Sequence, residues 1–514
     1  MAEKDLRSQV EALLRPVEPA VAQAYFEQVI QDLGVPLSIR ETSDSKGRGV
    51  FCNKAFEADA LVIKEPPLVG AQHAANKADA LVCSRCFTMI GSLEQQMAHR
   101  LLSMESPGIN PDYLRGLWLG AATLPCSDKF PLPKLVTCLG GCTYNIYCSS
   151  ACAKVDWASC HSLLCSGPPP QPDDPVKEQS SSSDGPIKDQ SSSSEAADHA
   201  GTSGHRMSFG DFSHAREAQK APGLASLVPA MKIAPPAMGK AEAVRAFNGH
   251  ADGTNDIFHL AAQLIAGVLL RADRIIQGIS ASGEAREASP QDHWAALQEA
   301  WRPFAVACKA LWWDCMAVPA DAADEENFRG SVRQLASDSL ELLREFLYDE
   351  RFPALFDLEL YGSIIGMFEL NNLSMHVDSP VETYAILATK ESLCCAFDPT
   401  EQYMAWLVSK PLLDALGDSY AAGCEGSCFY ALQSCMNHSC DPNTHAYKRA
   451  GVDTDGSAII LAKRAIEAGE EICISYIEES EPHHVRQSML EDYAFTCSCS
   501  RCRADLASTG KIKV

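Results

Sequence analysis

The spacing of apolar residues changes several times along the chain. Within residues 1–34 apolar side chains recur at helical spacing, which predicts one or two amphipathic helices that serve packing. From Val35 the pattern turns to short extended runs, separated by a turn at Gly47–Gly49, and Ala60–Val69 predicts another strand. The chain is therefore expected to begin with helix and to continue with strands.

Long apolar stretches with a helical period return within residues 240–350. They predict a helical segment with a tryptophan-rich core, and they are Phe258–Arg271, Trp294–Met316 and Val332–Tyr348. After Ala354, shorter apolar runs predict strands. These runs are Tyr361–Phe368, Ala385–Ala388, Ala458–Ala462 and Glu471–Tyr476. The expected fold class is α+β, with strands at both ends and helices between them.

A stretch of different composition, rich in Pro, Ser, Asp and Gln, runs from Gly167 to about Gly204. It nearly repeats itself, reading Lys-Glu-Gln-Ser-Ser-Ser-Ser-Asp and then Lys-Asp-Gln-Ser-Ser-Ser-Ser-Glu. Such a segment cannot bury enough apolar area to offset the entropy of ordering it. We expect a flexible low-complexity linker over residues 166–222.

Length and charge narrow the class of protein. A chain of 514 residues is long for one hydrophobic core, so two or three structural units are expected. The formal charge of -24, without a concentrated basic stretch, argues against direct DNA binding and favours a basic peptide as partner. The charged N-terminus does not resemble a secretory signal, and Ile257–Leu270 is shorter than the ~20 residues of a membrane span. We therefore expect the nucleus and/or cytoplasm, and no membrane association.

The chain has 22 cysteines, and nine of them lie between Cys83 and Cys165. Without a secretory signal, metal binding is the leading explanation, because intracellular compartments keep thiols reduced. The ligand-like pairs are Cys83-x2-Cys86, Cys138-x3-Cys142, Cys148-x3-Cys152 and His161-x3-Cys165. They are enough for two tetrahedral structural zinc sites, and scattered core cysteines are the alternative. Cys126 and Cys160 are substitute ligands or plain thiols.

A third cluster, Cys497-Ser-Cys499-x2-Cys502, stands near the C-terminus and offers three ligands where a closed site needs four. Cys440 is the candidate for the fourth. It belongs to the string Asn437-His438-Ser439-Cys440-Asp441-Pro442-Asn443, which is the most specific motif of the chain. The simpler alternative is a turn with an incidental histidine.

The cysteine-rich segment, with Tyr147 before Cys148 and Trp157 before His161, resembles the MYND zinc finger. That resemblance implies interleaved pairs. Cys83, Cys86, Cys148 and Cys152 would hold one zinc, and Cys138, Cys142, His161 and Cys165 would hold the other. The first pair departs from the family pattern, since 51 residues separate it from the second pair.

The string at 437–443, followed by Ala468–Tyr476, resembles the C-terminal half of a SET domain, and the cysteine tail resembles its post-SET zinc motif. Gly47-Arg48-Gly49-Val50-Phe51 resembles the N-terminal Gly-x-Gly turn of that domain. With the finger between the halves, the chain resembles the SET and MYND domain protein lysine methyltransferases, including plant trithorax-related proteins with a MYND-like insert. The resemblance covers residues 35–165 and 355–505.

This resemblance implies a β-rich SET domain that is split by the finger and by a helical insert, and that ends in a cysteine-rich tail. The expected units, in chain order, are an N-terminal helical segment at 1–34, the first SET part at 35–80, the MYND-like finger with its insertion at 81–165, the flexible linker at 166–222, the helical insert at 223–350, the SET core at 351–480 and the post-SET zinc tail at 481–514.

The same resemblance implies methyl transfer from S-adenosylmethionine to a lysine amine. Tyr476 matches the catalytic tyrosine, whose hydroxyl orients the amine, and Tyr493 matches a residue that lines the lysine channel. The implied cofactor-binding residues are Gly47, Arg48, Gly49, Asn371, Asn437, His438, Tyr476 and Phe495. Asn372 adjoins Asn371 and leaves that assignment open. On the residues alone, interior packing is the alternative for each aromatic side chain.

A methyl sulfonium reacts without help from a metal, so about three zinc ions would be structural. The expected substrate is a histone tail or another basic peptide, and the MYND-like finger is a candidate site for a further peptide partner. The alternative is a noncatalytic adaptor, in which the finger binds peptides and the SET fold is vestigial. Tyr476, together with the complete string at 437–440, favours the enzyme.

Overall fold

The structure is a computed structural model that describes residues 3–42, 46–104, 108–169, 239–281, 288–319, 324–389, 398–491, 493 and 495–509. The predicted linker at 166–222 lies outside the described residues from residue 170 onward, and so do residues 223–238 of the predicted helical insert. Helices and strands are mixed along the chain, which confirms the α+β class. Within the described ranges, no helix combines the length and apolar character needed to cross a membrane.

The helices of the described ranges are α1 (Glu3–Leu14), α2 (Pro19–Leu33), α3 (Leu93–Ser103), α4 (Pro111–Leu119), α5 (Ser150–Asp156), α6 (Ser162–Leu164), α7 (Lys240–Thr254), α8 (Ile257–Ala281), α9 (Pro290–Ala305), α10 (Trp312–Cys315), α11 (Glu325–Leu347), α12 (Leu358–Asn371), α13 (Pro380–Thr389), α14 (Pro399–Leu416), α15 (His483–Glu491) and α16 (Ser500–Thr509). The strands are β1 (Leu37–Glu41), β2 (Arg48–Cys52), β3 (Leu61–Glu65), β4 (Val69–Gln72), β5 (Val136–Thr137), β6 (Ile146–Tyr147), β7 (Leu373–Val377), β8 (Cys424–Phe429), β9 (Asn437–His438), β10 (Thr444–Ala446), β11 (Ala458–Ala462) and β12 (Glu471–Ile474).

Strands from the two ends of the sequence pair with one another in three sheets. In the first sheet β2 lies between β1 and β12, with Phe51 opposite Glu471 and Val50 opposite Ile472. In the second sheet β3 pairs with β11, and in the third β4 and β7 flank β8. Because each sheet needs strands from before and after the insert, the two halves form a single β-rich unit.

The largest hydrophobic core of the described residues is helical: α8, α9 and α11 of the insert pack in it together with α1 and α12. Trp301, Trp312 and Trp313 are buried in this core and Trp294 packs against it, as their positions in the apolar stretches predicted. The indole N–H of Trp301 donates to the carbonyl of Leu13 at 3.1 Å. The N-terminal helix is therefore fixed to the insert.

Two runs that the pattern predicts as strands are helices. Tyr361–Phe368 lies in α12 and Ala385–Ala388 lies in α13. Every residue from Leu360 to Phe368 is buried, so the run is apolar on all sides and has no period that separates helix from strand. Asp357 starts α12, because its carboxylate accepts two backbone N–H groups of the first turn. The predicted strands at Ala458–Ala462 and from Glu471 are confirmed as β11 and β12.

A smaller helical unit forms from two distant parts of the chain. Helices α3 and α4 lie in the insertion of the finger, and α13 and α14 follow β7 much later in the sequence. Their buried side chains, among them Met97, Leu117, Tyr384 and Leu412, form one hydrophobic core. The hydroxyl of Tyr384 also donates to the carbonyl of Pro125 at 3.0 Å. The insertion of the finger thus folds against the C-terminal half of the chain.

Gly366 in α12 lets the segment before α10 approach the helix closely, since an added Cβ would collide with the backbone oxygen of Ala310. We expect Gly366→Ala to lower the free energy of unfolding by about 1–3 kcal/mol, because backbone must shift to make room. Gly330→Ala in α11 is the matched control, since nothing lies within 4 Å of its added Cβ. That change removes a glycine from a helix interior and should stabilise by about 0.5–1 kcal/mol. Urea unfolding followed by circular dichroism measures both, and equal stabilities would contradict the packing argument.

Candidate functional site

The first candidate metal centre is a group of four cysteines from two loops of the finger. The group consists of Cys83, Cys86, Cys148 and Cys152, whose sulfur atoms all lie within 4.8 Å of one another. The backbone N–H of Ser84 donates to the carbonyl of Ile146 at 2.8 Å and joins the two loops. The hydroxyl of Ser149 accepts the N–H of Cys152 and starts α5. Strand β6 and the start of α5 therefore carry the later pair to the earlier one.

The second group consists of Cys138, Cys142, His161 and Cys165, whose ligand atoms also lie within 4.8 Å of one another. The Nε2 atom of His161 lies 3.1 Å from the sulfur of Cys138. Burial lowers the pKa of His161 to about 4, so the ring is neutral at physiological pH, as a metal ligand must be. Gly140 leaves room for the group, since an added Cβ would lie 2.5 Å from the sulfur of Cys165.

The two remaining cysteines of the finger region stand outside both groups. The sulfur of Cys160 donates to the carboxylate of Asp156 at 3.7 Å, and burial raises the pKa of this thiol. Cys126 precedes a short 3-10 turn and has a φ of 61°. The described structure thus brings the four pairs together in the interleaved sets that the MYND resemblance implies, and Cys126 and Cys160 belong to neither set.

The third group joins the C-terminal tail to the motif string, and it consists of Cys440, Cys497, Cys499 and Cys502. The sulfur of Cys502 lies 3.5 Å from that of Cys440. Arg486 is buried beside the group, where its guanidinium donates to Asp505 at 2.7 Å and reaches the sulfur of Cys502 at 3.9 Å. The amide of Gln487 donates to the same sulfur at 3.3 Å. These donors offset the negative charge that clustered thiolates would carry.

The side chain of Asn437 joins the two halves of the predicted cofactor site. Its amide donates to the backbone carbonyl of Arg48 at 3.0 Å and to the carboxylate of Glu471 at 2.7 Å. Gly49 lies against this amide, since an added Cβ would stand 3.0 Å from Asn437 Nδ2 and 2.6 Å from Glu471 Oε1. Gly47 has a φ of 75°, which favours glycine in the turn before β2. The Gly-x-Gly turn and the motif string therefore meet at one place.

His438 is almost fully buried, and both of its ring nitrogens are engaged. Its Nδ1 accepts the backbone N–H of Tyr476 at 3.0 Å. The proton of a neutral ring then lies on Nε2, which is 3.2 Å from the sulfur of Cys440. The ring connects the tail group with the end of β12, so a cofactor contact at His438 is left to its backbone.

Aromatic rings gather around Tyr476, just after the end of β12. The ring of Tyr476 lies 5.1 Å from that of Tyr493, and Phe495 meets it edge-on at 6.3 Å. His438 completes the cluster, with its ring 5.4 Å from that of Tyr476. The hydroxyl of Tyr476 donates to the carbonyl of Met436 at 2.6 Å. Burial raises the pKa of Tyr476, so this hydroxyl keeps its proton at neutral pH.

Arg48 and Asn371 both reach the segment that follows α9. The guanidinium of Arg48 donates to the carbonyl of Val306, and the amide of Asn371 donates to the carbonyl of Cys308 at 3.0 Å. Both side chains therefore hold the segment at 306–308, which forms the wall beside the Gly-x-Gly turn. The neighbouring Asn372 has a buried side-chain oxygen without a hydrogen-bond partner among the described residues.

Lys309 belongs to this same segment, and it lies outside the sequence motifs that predict the site. Its ammonium group donates to the carbonyls of Ala305 and Ala307, at 2.9 and 3.1 Å. Burial lowers its pKa to about 8, and the nearby positive charge of Arg48 adds to the shift. The sequence does show a lysine inside the apolar stretch Trp294–Met316, but hydrophobic periodicity alone gives no reason to select it.

The chain matches the family model described as SET domain over residues 47–477, which is more than half of its length. The chain therefore belongs to the SET domain family. "Histone-lysine N-methyltransferase ATXR2" of Arabidopsis thaliana is 36% identical to it over an alignment of 541 positions, which covers 98% of each chain. "Protein-lysine N-trimethyltransferase SMYD5" of Homo sapiens is 23% identical over 490 residues, 92% of this chain and 87% of the relative. The protein of the same description from Gallus gallus is 34% identical over 183 residues, 32% of this chain and 40% of the relative.

The lowered pKa of Lys309 makes the free energy of unfolding of the protein depend on pH. Below about pH 8 the folded protein holds a poorly solvated charge at Lys309, so we expect Lys309→Met to be more stable than the wild type. As pH rises from 8 toward the ordinary lysine pKa, the folded wild type loses this proton while the unfolded chain keeps it. The stability of the wild type should therefore rise relative to Lys309→Met. Urea unfolding at pH 7 and pH 10 checks this, and a constant gap between the two proteins would contradict it.

Proposed function

We propose that the chain is an S-adenosylmethionine-dependent protein lysine methyltransferase whose substrate is a lysine in a histone tail or another basic peptide. The observation that carries the proposal is the cluster of Tyr476, Tyr493 and Phe495 beside the string that begins at Asn437. The family membership and the printed descriptions of the relatives support the same reaction. The net charge of -24 favours a basic substrate. A histone substrate implies a role in chromatin and a nuclear location.

The cofactor would be held where the Gly-x-Gly turn meets the motif string. When bound, S-adenosylmethionine supplies a methyl group activated by a sulfonium charge. The residues proposed to hold it are Gly47, Arg48, Gly49, Asn371, Asn437, His438, Tyr476 and Phe495. One observation fits a polar ligand beside Asn371: the buried side-chain oxygen of Asn372 has no hydrogen-bond partner among the described residues. Since the side chains of Arg48 and Asn371 bond to the protein itself, their part is to fix the wall of the site.

Tyr476 is proposed to orient the attacking amine. A hydroxyl that donates its proton to the carbonyl of Met436 can accept a hydrogen bond from an amine N–H. The amine must arrive neutral, which at pH 7 costs about 4–5 kcal/mol for a lysine of ordinary pKa. A channel lined by the rings of Tyr476, Tyr493 and Phe495 would lower that pKa by desolvation. The protein's contribution is therefore alignment and removal of water.

The three ligand groups are proposed to be structural zinc sites, two in a MYND-like finger and one in a post-SET tail. Each group has four donors, and thiolate-rich sets with one histidine or none suit zinc. A complete set of four protein ligands leaves no open position for a substrate. The proposal keeps the division into units that the sequence predicts. These units include the finger at 81–165, the SET core at 351–480 and the tail at 481–514. The finger is a candidate site for a peptide partner.

We expect Tyr476→Phe to lower kcat by roughly a hundredfold and to leave the affinity for S-adenosylmethionine within about threefold, because the change removes an orienting hydroxyl. Tyr447→Phe is the matched control, since Tyr447 is 52% exposed and lies just after β10. Transfer of radioactive methyl to histones and calorimetric binding of the cofactor measure the two quantities. Wild-type activity in Tyr476→Phe would remove Tyr476 from its role. A wild type that neither binds the cofactor nor labels any protein would favour the noncatalytic adaptor.

Metal analysis of the purified protein should give about three zinc ions per chain. Cys440→Ser should lower this number to about two and make the tail sensitive to protease, because the tail group loses the ligand that joins it to the motif string. Cys308→Ser is the control, since Cys308 is an exposed cysteine outside the three groups. Three bound zinc ions and an intact tail in Cys440→Ser would contradict the assignment of that ligand.

A further inference from the structure

Glu65 is a buried carboxylic acid that is neither a proposed zinc ligand nor a proposed cofactor-binding or catalytic residue. It stands at the end of β3 and is 2% exposed. The backbone N–H groups of Leu432 and Gln433 donate to its two carboxylate oxygens, at 2.8 and 2.9 Å. An acid is costly to bury, and the structure places this one against a turn rather than against a cation.

The two N–H groups belong to the turn that leads into the motif string. The carbonyl of Leu432 accepts the N–H of Cys435, and the carbonyl of Gln433 accepts the N–H of Met436, each at 3.0 Å. The carbonyl of Met436 in turn accepts the hydroxyl of Tyr476 at 2.6 Å. Hydrogen bonds and the backbone of Gln433 and Met436 therefore connect the carboxyl group of Glu65 to the hydroxyl that is proposed to orient the amine.

The electrostatic surroundings make this acid responsive to pH. Burial raises the pKa of Glu65 to about 7, and the backbone N–H groups act in the opposite direction. The titratable groups that face it are Tyr25 on α2, Tyr430 after β8 and Cys435 in the turn. Burial raises the pKa of all three, so they are neutral near pH 7. The positive charges in range of these neighbours are Arg271, which acts on Tyr25, and Arg48, which acts on Cys435.

We propose that Glu65 is a positioning residue, which holds the turn at 432–436 so that the carbonyl of Met436 orients the hydroxyl of Tyr476. The inference rests on the proposed methyl transfer, because it assigns Glu65 a part in that reaction. An ionised carboxylate accepts N–H groups more strongly than a neutral acid. The turn is therefore held more firmly at pH 8 than at pH 6.

The variant that tests this role is Glu65→Gln, which keeps the size of the side chain but offers an NH2 group to one of the two N–H donors. The matched control is Glu94→Gln. Glu94 is another buried glutamate that accepts a backbone N–H, that of Leu124 at 2.9 Å, but it lies in the helical unit of α3, α4, α13 and α14. We expect kcat of Glu65→Gln, per folded protein, to fall roughly tenfold, while its KM for S-adenosylmethionine stays within about threefold of the wild-type value. For Glu94→Gln, kcat and KM should both stay within about twofold of wild type.

Hydrogen exchange at residues 432–438, followed by mass spectrometry, gives a readout that does not depend on activity. Exchange there should be faster in Glu65→Gln than in the wild type, and unchanged in Glu94→Gln. An unchanged kcat, or unchanged exchange at 432–438, would overturn the positioning role. If the wild type transfers no methyl group, the proposed function fails, and the exchange comparison still decides whether Glu65 holds the turn.

Two further measurements apply if Glu65→Gln does not fold. Glu65→Asp keeps the charge but is one methylene too short to hold both N–H groups, so it should show the same faster exchange at 432–438. In the wild type, exchange at 432–436, corrected for the intrinsic effect of pH, should be slower at pH 8 than at pH 6. Equal protection at the two pH values would overturn the inference without any variant.

Discussion

The pairing of β2 with β12 is the contact on which the rest of the site depends. It sets Val50 opposite Ile472, although the two residues come from opposite ends of the chain. The entropic cost of closing a loop grows only slowly with its length. Both side chains are fully buried in one apolar cluster, which supplies free energy against that cost. Through this pair the turn at Gly49 comes against the amide of Asn437, and β12 delivers Tyr476 to the aromatic cluster.

The ligand groups could be predicted because a metal site is encoded by short spacings and by residue types that have few other reasons to cluster. The structure gathers the same four-residue sets, including Cys440 with the distant tail. Positions that depend on packing were much harder to predict. The run at Tyr361–Phe368 is buried on every side, so its composition fits a strand and a helix equally well. Lys309 reaches the candidate site because α9 ends where it does, and no local pattern encodes that approach.

The helical unit of α3, α4, α13 and α14 illustrates the same limit on a larger scale. Each of its halves lies inside a stretch that the motifs assign to another unit, the finger or the SET core. Their apolar faces are visible in the sequence, but nothing local indicates that Met97 and Tyr384 share one core. The resemblance to known families does not predict this shared core either, because it rests on motifs and not on the segments between them.

The third sheet has a consequence for how the chain tolerates interruption. Strands β4 and β7 flank β8, so the chain leaves this sheet after Gln72 and returns to it at Leu373. The chain between those two residues is a single excursion that starts and ends on the two strands that flank β8. The pairs β2 with β12, β3 with β11 and β4 with β8 hold the halves together by contacts that do not need a covalent connection. Two separately made chains, divided within the excursion, would therefore still hold between them every strand of these three sheets.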